Sequence, residues 1–425
     1  MVYITEPEPT LCGVLHVVMP EDAKSSDDDM RVPESRLEEA ANLCEALPVK
    51  LVWRDKVKLN KISSRTLLGK GKVEELAELM HEKEIDLLVV NANLSPTQQR
   101  NLEVALKVKV IDRTGLILEI FADRAQTHAG RLQVEMAMLQ YQANRLVRAW
   151  THLERQRGGL GKTGGPGERQ IELDRRMIRD QIDRVKTQLD DVEKTRALHR
   201  KGRVKSGLPV VALVGYTNAG KSTLFNAVSG ADAFVKDMLF ATLDPLMRKI
   251  KLNSGREVIF SDTVGFVSDL PHELVKAFHA TLEEVVHADL LLHVHDASSD
   301  EAQMQDQDVK DVLESIGADK LPKLNIYNKQ DLARENPELD HTWEEPDGVE
   351  TAAATGEGVD KVHDAIEAFF AASEKPFTFK VPASEGRKLA WLQAHGEVTS
   401  MELDGDTYDV EVVLAEEDAA IFETM

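Results

Sequence analysis

The sequence predicts an α/β protein in which an N-terminal α/β domain carries a long antiparallel helical hairpin. A P-loop domain follows, and then a small α/β domain. Three observations predict this. Strand-like apolar runs alternate with helical periods through residues 1–125 and again through 206–375, as in sheets built largely from parallel strands. Between them, through 126–205, apolar residues recur at alternating spacings of three and four, a heptad seam. The stretch Gly215–Ser222 fits G-x-x-x-x-G-K-[ST] between a strand-like run and a helix-like one.

Composition narrows the class. A chain of 425 residues is long enough for several domains, each with its own core. Cys12 and Cys44 form no C-x-x-C pair, so neither a disulfide framework nor a zinc knuckle is implied, and a reducing compartment is expected. The acidic, proline-bearing start Met1–Pro7 is unlike a secretory leader. No apolar run approaches the roughly 18 residues of a membrane span, so the expectation is a cytoplasmic protein. The formal charge of −22 argues against general nucleic-acid binding. It is unevenly spread, however: 17 Lys/Arg stand against 9 Asp/Glu between Arg145 and Lys205, a local footprint for a polyanion.

In residues 1–125 the strand-like runs are Val14–Val18, Val49–Trp53, Asp86–Val90 and Val108–Asp112, with a helical pattern at Val73–Met80. Ser95 is placed to cap a further helix, with Pro96 in its first turn. Gly69-Lys70-Gly71-Lys72 opens a helix and could meet a phosphate, but Val73 stands where Ser or Thr would be needed for a second P-loop.

The hairpin is read from two seams, Leu132, Met136, Leu139, Ala143, Leu146, Trp150 and Leu153 on one arm and Ile178, Ile182, Val185, Leu189 and Val192 on the other. Residues 158–167, dense in glycine, break the helical pattern and form a tip. Gly159 and Gly165 let the backbone approach another surface closely, and Arg155, Arg157, Lys162 and Arg169 add charge. A passive linker is the alternative, but a linker has no need of a stiff stalk, so RNA contact is the favoured reading. Gly161-Lys162-Thr163 resembles the end of a phosphate loop, yet helix rather than strand precedes it and Gln156 stands where the first glycine belongs.

The nucleotide motifs follow. Pro209–Val214 reads as the strand before the loop. Backbone N–H groups of Gly215, Tyr216, Thr217, Asn218, Ala219 and Gly220 can line an anion-binding concavity. Lys221 then reaches the outer phosphates, while Ser222, beside Thr223 at the helix start, holds Mg²⁺. Glu257–Asp262 is a strand delivering Asp262-Thr263-Val264-Gly265. Asp262 can reach Mg²⁺, usually through water, and the Gly265 N–H can reach the γ-phosphate. In Phe240-Ala241-Thr242, Thr242 is placed to sense Mg²⁺ and the γ-phosphate. Leu290–Val294 and Lys323–Tyr327 are core strands, the second delivering Asn328-Lys329-Gln330-Asp331. A carboxylate accepting both N1–H and the exocyclic N2–H suits guanine and repels adenine, so Asp331 selects GTP. The Lys329 stem covers the base and Asn328 braces the pocket. Motif order and spacing together identify a P-loop GTPase domain.

In residues 376–425 a strand at Phe377–Val381, a helix at Arg387–Leu392, a hairpin turning at Asp404-Gly405 and a final short helix are expected. From Leu389 onward there are ten acids and no Lys or Arg, which favours a basic protein partner over RNA.

The chain resembles the HflX family of translational GTPases. The resemblance is carried by Gly69–Glu75, Val110–Leu118, Gly165-Pro166-Gly167-Glu168, Val214–Ser222 and Phe240–Asp244. It implies a factor that binds the ribosome, chiefly its large subunit, and in bacterial members separates stalled ribosomes under stress; the alternatives are a large-subunit assembly or dormancy GTPase and an ATP-linked RNA remodeller, and a monomer is expected. It further implies a glycine-rich tip reaching rRNA near the peptidyl transferase centre. Basic ribosomal proteins would suit the acidic C-terminal domain, and peripheral membrane association is compatible. Arg169 stands where Thr is common in the family, and Ala352 where Ser usually begins the guanine loop Ala352-Ala353-Ala354; the Ala353 N–H is then expected to meet the guanine O6. Phe266 follows Asp262–Gly265 where Ras-type enzymes place a water-orienting Gln, and Thr217 stands where they often have Gly. Hydrolysis is therefore expected to be slow until the ribosome orders the loops at Thr242 and Phe266. Asn218 matches the loop asparagine of potassium-activated GTPases, making K⁺ a candidate cofactor beside Mg²⁺ and GTP/GDP.

Overall fold

The computed structural model describes residues 9–20, 33–156, 166–230, 240, 245–268, 279–336, 347–372 and 374–425. The N-terminal sheet consists of β1 (Thr10–Val18), β2 (Val49–Lys58), β3 (Leu87–Asn91) and β4 (Lys109–Asp112), all parallel in the order β2-β1-β3-β4. Central β3 is buried throughout, apolar up to its last residue Asn91, because helices cover both its faces, whereas edge strand β2 is only half-buried and alternates over its second half. On one face, α1 (Pro33–Glu45) and α4 (Arg113–Arg124) supply Leu43, Ile117, Ile120 and Phe121 to the core. On the other, α2 (Lys70–Glu82) and α3 (Pro96–Leu106) supply Leu76, Met80 and Leu102. The α3 start is a capping box: Ser95 accepts from the Gln98 N–H and Gln98 reaches back to the Ser95 N–H.

The heptad seam becomes α5 (His128–Gln156) and α6 (Pro166–Ser206). Leu132, Met136, Leu139 and Val185 are buried between them, flanked by Ile178, Ile182, Leu189 and Val192. Val134 and Ala137 on α5 enter instead the core shared with α1 and α4, which seats the hairpin root on the N-terminal domain. The side chains of Leu146, Trp150 and Leu153, and the tip through Gly165, fall outside the described residues.

The second sheet runs β10-β9-β8-β5-β7-β6, from β5 (Val210–Gly215), β6 (Leu246–Lys251), β7 (Glu257–Asp262), β8 (Leu290–Asp296), β9 (Lys323–Asn328) and β10 (Gly348–Glu350). All neighbours are parallel except β6, which pairs antiparallel with β7. The third sheet, β11 (Glu374–Pro382), β12 (Glu397–Asp404) and β13 (Thr407–Ala415), is antiparallel in the order β11-β13-β12. Gly405 turns its hairpin at φ 63°. Leu392 and Phe422 bring the two C-terminal helices onto this sheet. Among the described residues, no helix is long and apolar enough to cross a membrane.

Candidate guanine-nucleotide site

β5 ends at Gly215 and the chain turns through Asn218 (φ 62°) and Gly220 (φ 90°) into α7 (Lys221–Ser229). Gly220 is required twice over, by its left-handed φ and because a Cβ there would collide with the Asn328 side-chain amide. That amide donates to the Ala219 carbonyl (2.9 Å), while Asn328 Oδ1 accepts from Thr351 Oγ1 (3.1 Å) and the Ala353 N–H (3.0 Å). One buried asparagine therefore joins the phosphate loop to both base-side loops.

Lys221 is buried, and its Nζ donates to the carbonyls of Gly215 (3.0 Å) and Tyr216 (2.7 Å). Burial pushes its pKa down to about 8 against the pull of Asp262. Ser222 Oγ donates to Asp262 Oδ2 at 2.6 Å, which brings together two of the expected metal ligands. A hydroxyl and a carboxylate, both hard oxygen donors, fit Mg²⁺, which keeps much of its water shell. Thr223 is half-buried in the first turn of α7, and Asn218 is exposed at the crest of the loop.

Residues 263–268 fold back over the phosphate loop. The Phe266 N–H donates to Gly215 O (3.1 Å), and the Thr217 N–H donates to Phe266 O (2.6 Å). A Cβ on Gly265 would lie 2.9 Å from Thr217 Cγ2 and 3.0 Å from Lys221 Nζ, so only glycine allows this approach. Thr263 and Val264 turn their side chains inward: Thr263 Oγ1 donates to Leu213 O (2.5 Å) and Val264 is in the core. They can offer a ligand only backbone.

Two expectations are corrected. Phe240 is not at a nucleotide surface; it is buried edge-on against Phe121 of α4, ring centroids 4.7 Å apart, because an apolar ring is better removed from water between the domains. The Ala353 N–H is occupied by Asn328 and the Ala352 N–H by Glu357 O (2.9 Å). Ala354 is exposed, and among the described residues its N–H has no protein acceptor. The Phe266 ring is likewise buried, in the same core as Phe121. Lys329, at φ 63°, places Nζ 2.8 Å from Asp296 Oδ2. Asp331 opens the short helix Gln330–Ala333, half-buried. Ala241, Thr242, Arg157, Gly159, Lys162 and Gly165 lie outside the described residues, as do the side chains of Arg155 and Arg169.

Sequence reasoning missed a polar cluster that ties this loop to the N-terminal domain. The Tyr216 hydroxyl donates to Glu39 Oε1 (2.7 Å), accepts from the Ser268 N–H (3.0 Å) and touches Ser268 Oγ. Arg113 donates to Glu39 Oε1 (3.0 Å), Asn91 Oδ1 (3.0 Å) and Ser268 O (3.1 Å). One residue earlier, Asp112 caps α4 at the Gly115 N–H (2.9 Å) and accepts from Tyr141 Oη (2.6 Å) and Arg145 Nη2 (2.5 Å) on α5. Burial and the neighbouring Asp112 charge raise the Tyr141 pKa, so the phenol stays a donor. The available signal was the charged pair Asp112-Arg113 interrupting an otherwise apolar run.

Three family models match consecutive segments: GTP-binding GTPase N-terminal over residues 34–122, GTP-binding GTPase Middle Region over 124–203, and 50S ribosome-binding GTPase over 210–329. The chain is similar to GTPase HflX of Magnetococcus marinus, 49% identical over 355 residues that cover 84% of this chain and 82% of that one. Its similarity to GTPase HflX of Escherichia coli strain K12 is 47% over 345 residues, 78% and 81% of the two chains. Among solved structures it is similar to a GTP-binding protein of Sulfolobus solfataricus in complex with GDP, at 22% identity and a TM-score of 0.44, covering 84% of this chain and 98% of that one.

Proposed function

The chain belongs to the HflX family of GTPases, and on that premise we propose that it is a GTP-switched ribosome factor that binds the large subunit and separates stalled or idle ribosomes. The observation that supports this reading is the path from the phosphate loop to the hairpin root: polar contacts from Tyr216 to Ser268 and on to Arg113, the peptide link to Asp112, then polar contacts to Tyr141 and Arg145 on α5.

The Lys221 ammonium is held by two loop carbonyls and the Thr217 N–H by Phe266 O. GTP gives Lys221 a stronger acceptor and gives the Gly265 N–H a γ-phosphate oxygen to follow. Moving Gly265 breaks the Phe266–Thr217 bond and pulls on Ser268, two residues after Phe266. Ser268 is bonded to Tyr216 and Arg113, so the N-terminal domain and its hairpin feel the change. Ser222 and Thr242 would hold Mg²⁺ beside Asp262, and the ion would supply neutralisation of the phosphate charge. Asp331 reads N1–H and N2–H of guanine, and the Ala354 N–H is the amide left for O6. No glutamine stands at Phe266 to orient water, so turnover is slow until the ribosome completes the site, with K⁺ at Asn218 a candidate aid. The tip residues Arg155, Arg157, Gly159, Lys162, Gly165 and Arg169 meet rRNA near the peptidyl transferase centre.

The test is sedimentation of intact ribosomes with this chain and a non-hydrolysable GTP analogue. Separated subunits with the analogue, and not with GDP, are expected. Ribosomes that remain intact while the factor sediments only with free large subunits would replace splitting by an assembly or dormancy role.

A further inference from the structure

Behind the guanine loop lies a cluster that the nucleotide chemistry does not use. His293 and His295 are two residues apart on β8, so both imidazoles face the same side of the sheet. The helix Ala302–Ser315 covers that side and presents Asp306. Both histidines are buried, with exposures of 2% and 7%, and their rings are 4.0 Å apart. His293 Nδ1 is 3.6 Å and His295 Nδ1 3.8 Å from Asp306 Oδ1. One ligand atom from each residue lies within 4.8 Å of the others.

We propose that His293, His295 and Asp306 form a binding site for a borderline transition-metal ion of the Zn²⁺ class, separate from the Mg²⁺ position at Ser222 and Asp262. The nitrogen–oxygen separations are too long for hydrogen bonds and close to what a shared ion sets: two bonds of about 2.1 Å at a tetrahedral angle hold their donors about 3.4 Å apart. Asp306 Oδ1 is buried and has no hydrogen-bond partner. Lys310 Nζ holds the other oxygen, Oδ2, at 2.9 Å, which leaves Oδ1 as a single-atom ligand. His295 Nε2 is 3.2 Å from Asn325 Oδ1. As donor in that bond Nε2 carries the proton, and the lone pair is on Nδ1, facing Asp306; this is the outer hydrogen bond that metal-bound histidines ordinarily make.

The donor set also selects the ion. Two imidazoles and one carboxylate suit Zn²⁺, Co²⁺, Ni²⁺ or Cu²⁺, whereas Mg²⁺ and Ca²⁺ need more oxygen ligands than the cluster supplies. Three protein ligands leave one tetrahedral position. The site borders the base pocket, because the residue after His295 is Asp296, which holds Lys329.

The experiment is a Co²⁺ titration of the untagged full chain loaded with GDP and Mg²⁺, followed by the visible absorption of low-coordinate Co²⁺ and by Zn²⁺ competition. One Co²⁺ per chain, displaced by Zn²⁺ and not by excess Mg²⁺, is expected. Asp306→Asn and His293→Gln should each lose that band while still binding a fluorescent GDP analogue, which shows that the domain is folded. A wild type with no band, or a band of equal intensity in Asp306→Asn and His293→Gln, overturns the proposal.

Discussion

The N-terminal sheet and the largely parallel GTPase sheet place polar residues at the same location, the carboxyl ends of their parallel strands, and treat them oppositely. In the N-terminal sheet, Asn91 ends β3 and Asp112 ends β4. Each Asp112 oxygen accepts two donors: Oδ1 from the Gly115 N–H and Tyr141, Oδ2 from the Leu94 N–H and Arg145. Asn91 is shared among His16, the Arg36 carbonyl and Arg113. In the GTPase sheet, Gly215, Asp262, Asp296 and Asn328 end four strands and lead into loops. Among the described residues the Asp331 carboxylate and the Ala354 N–H there make no hydrogen bond to the protein. A crevice at the strand ends is a property of the fold. What turns it into a site is polar capacity that the protein itself does not fill.

Substitutions at the two kinds of strand end should therefore separate activity from stability. The largest effect is expected at Asp331→Asn, which offers a donor where guanine also has one. Discrimination for guanine over xanthine nucleotides should fall by up to about 10⁴-fold, measured as the ratio of GTP to XTP affinities, with thermal stability unchanged. An unaltered ratio would remove Asp331 from the base pocket. Next, Lys221→Ala should lower single-turnover GTP hydrolysis by about 10²–10³-fold, since one preorganised cation is lost from the phosphates. Hydrolysis at the wild-type rate would contradict the site.

At the filled strand end the sign reverses. Asp112→Ala strands the half-buried Arg145 and uncaps α4, and should cost about 3 kcal/mol of unfolding free energy in a denaturant titration. A loss confined to GTP affinity would mean that Asp112 is a ligand-binding residue after all. Tyr216→Phe is milder, about 1 kcal/mol, and it should destabilise the GDP form more than the form bound to a GTP analogue if GTP loosens Ser268. Equal losses in both forms would sever the coupling.

Lys221 also gives the smallest and most specific signal. Its pKa falls from the ordinary 10.5 to about 8 on folding. The charged form therefore opposes folding below about pH 8, and this penalty fades as pH rises from the folded value towards the unfolded one. A phosphate restores the charge, so nucleotide binding near pH 9 should take up a proton and weaken as pH rises further. Calorimetry in buffers of unlike ionisation heat reads this directly; heats independent of buffer would contradict it.

Much of the molecule was legible because its signals are local. The phosphate loop, the Asp262–Gly265 turn and Asn328–Asp331 each lie within a few residues, and the hairpin is written in its heptads. What escaped depends on distant partners. Glu39 meets Tyr216 across 177 positions and Arg113 meets Ser268 across 155, with no periodicity to announce either. Phe240 looked like part of the nucleotide site from its motif, and only the position of Phe121 shows that it packs between domains. Ala353 was displaced from its expected role by the direction in which Asn328 Oδ1 points, a rotamer that no sequence states. His293 was read simply as part of the strand Leu290–Val294, and only the placement of Asp306 over β8 groups it with His295.

The central claim is that the guanine-nucleotide state is transmitted through Ser268, Arg113 and Asp112 to a basic hairpin that acts on the ribosome. Its most direct test is the fourfold variant Arg155→Gln, Arg157→Gln, Lys162→Gln, Arg169→Gln in the sedimentation assay with a GTP analogue. GTP hydrolysis in the absence of ribosomes is expected at the wild-type rate, with separation of subunits lost. Separation at the full wild-type rate by this variant would contradict it.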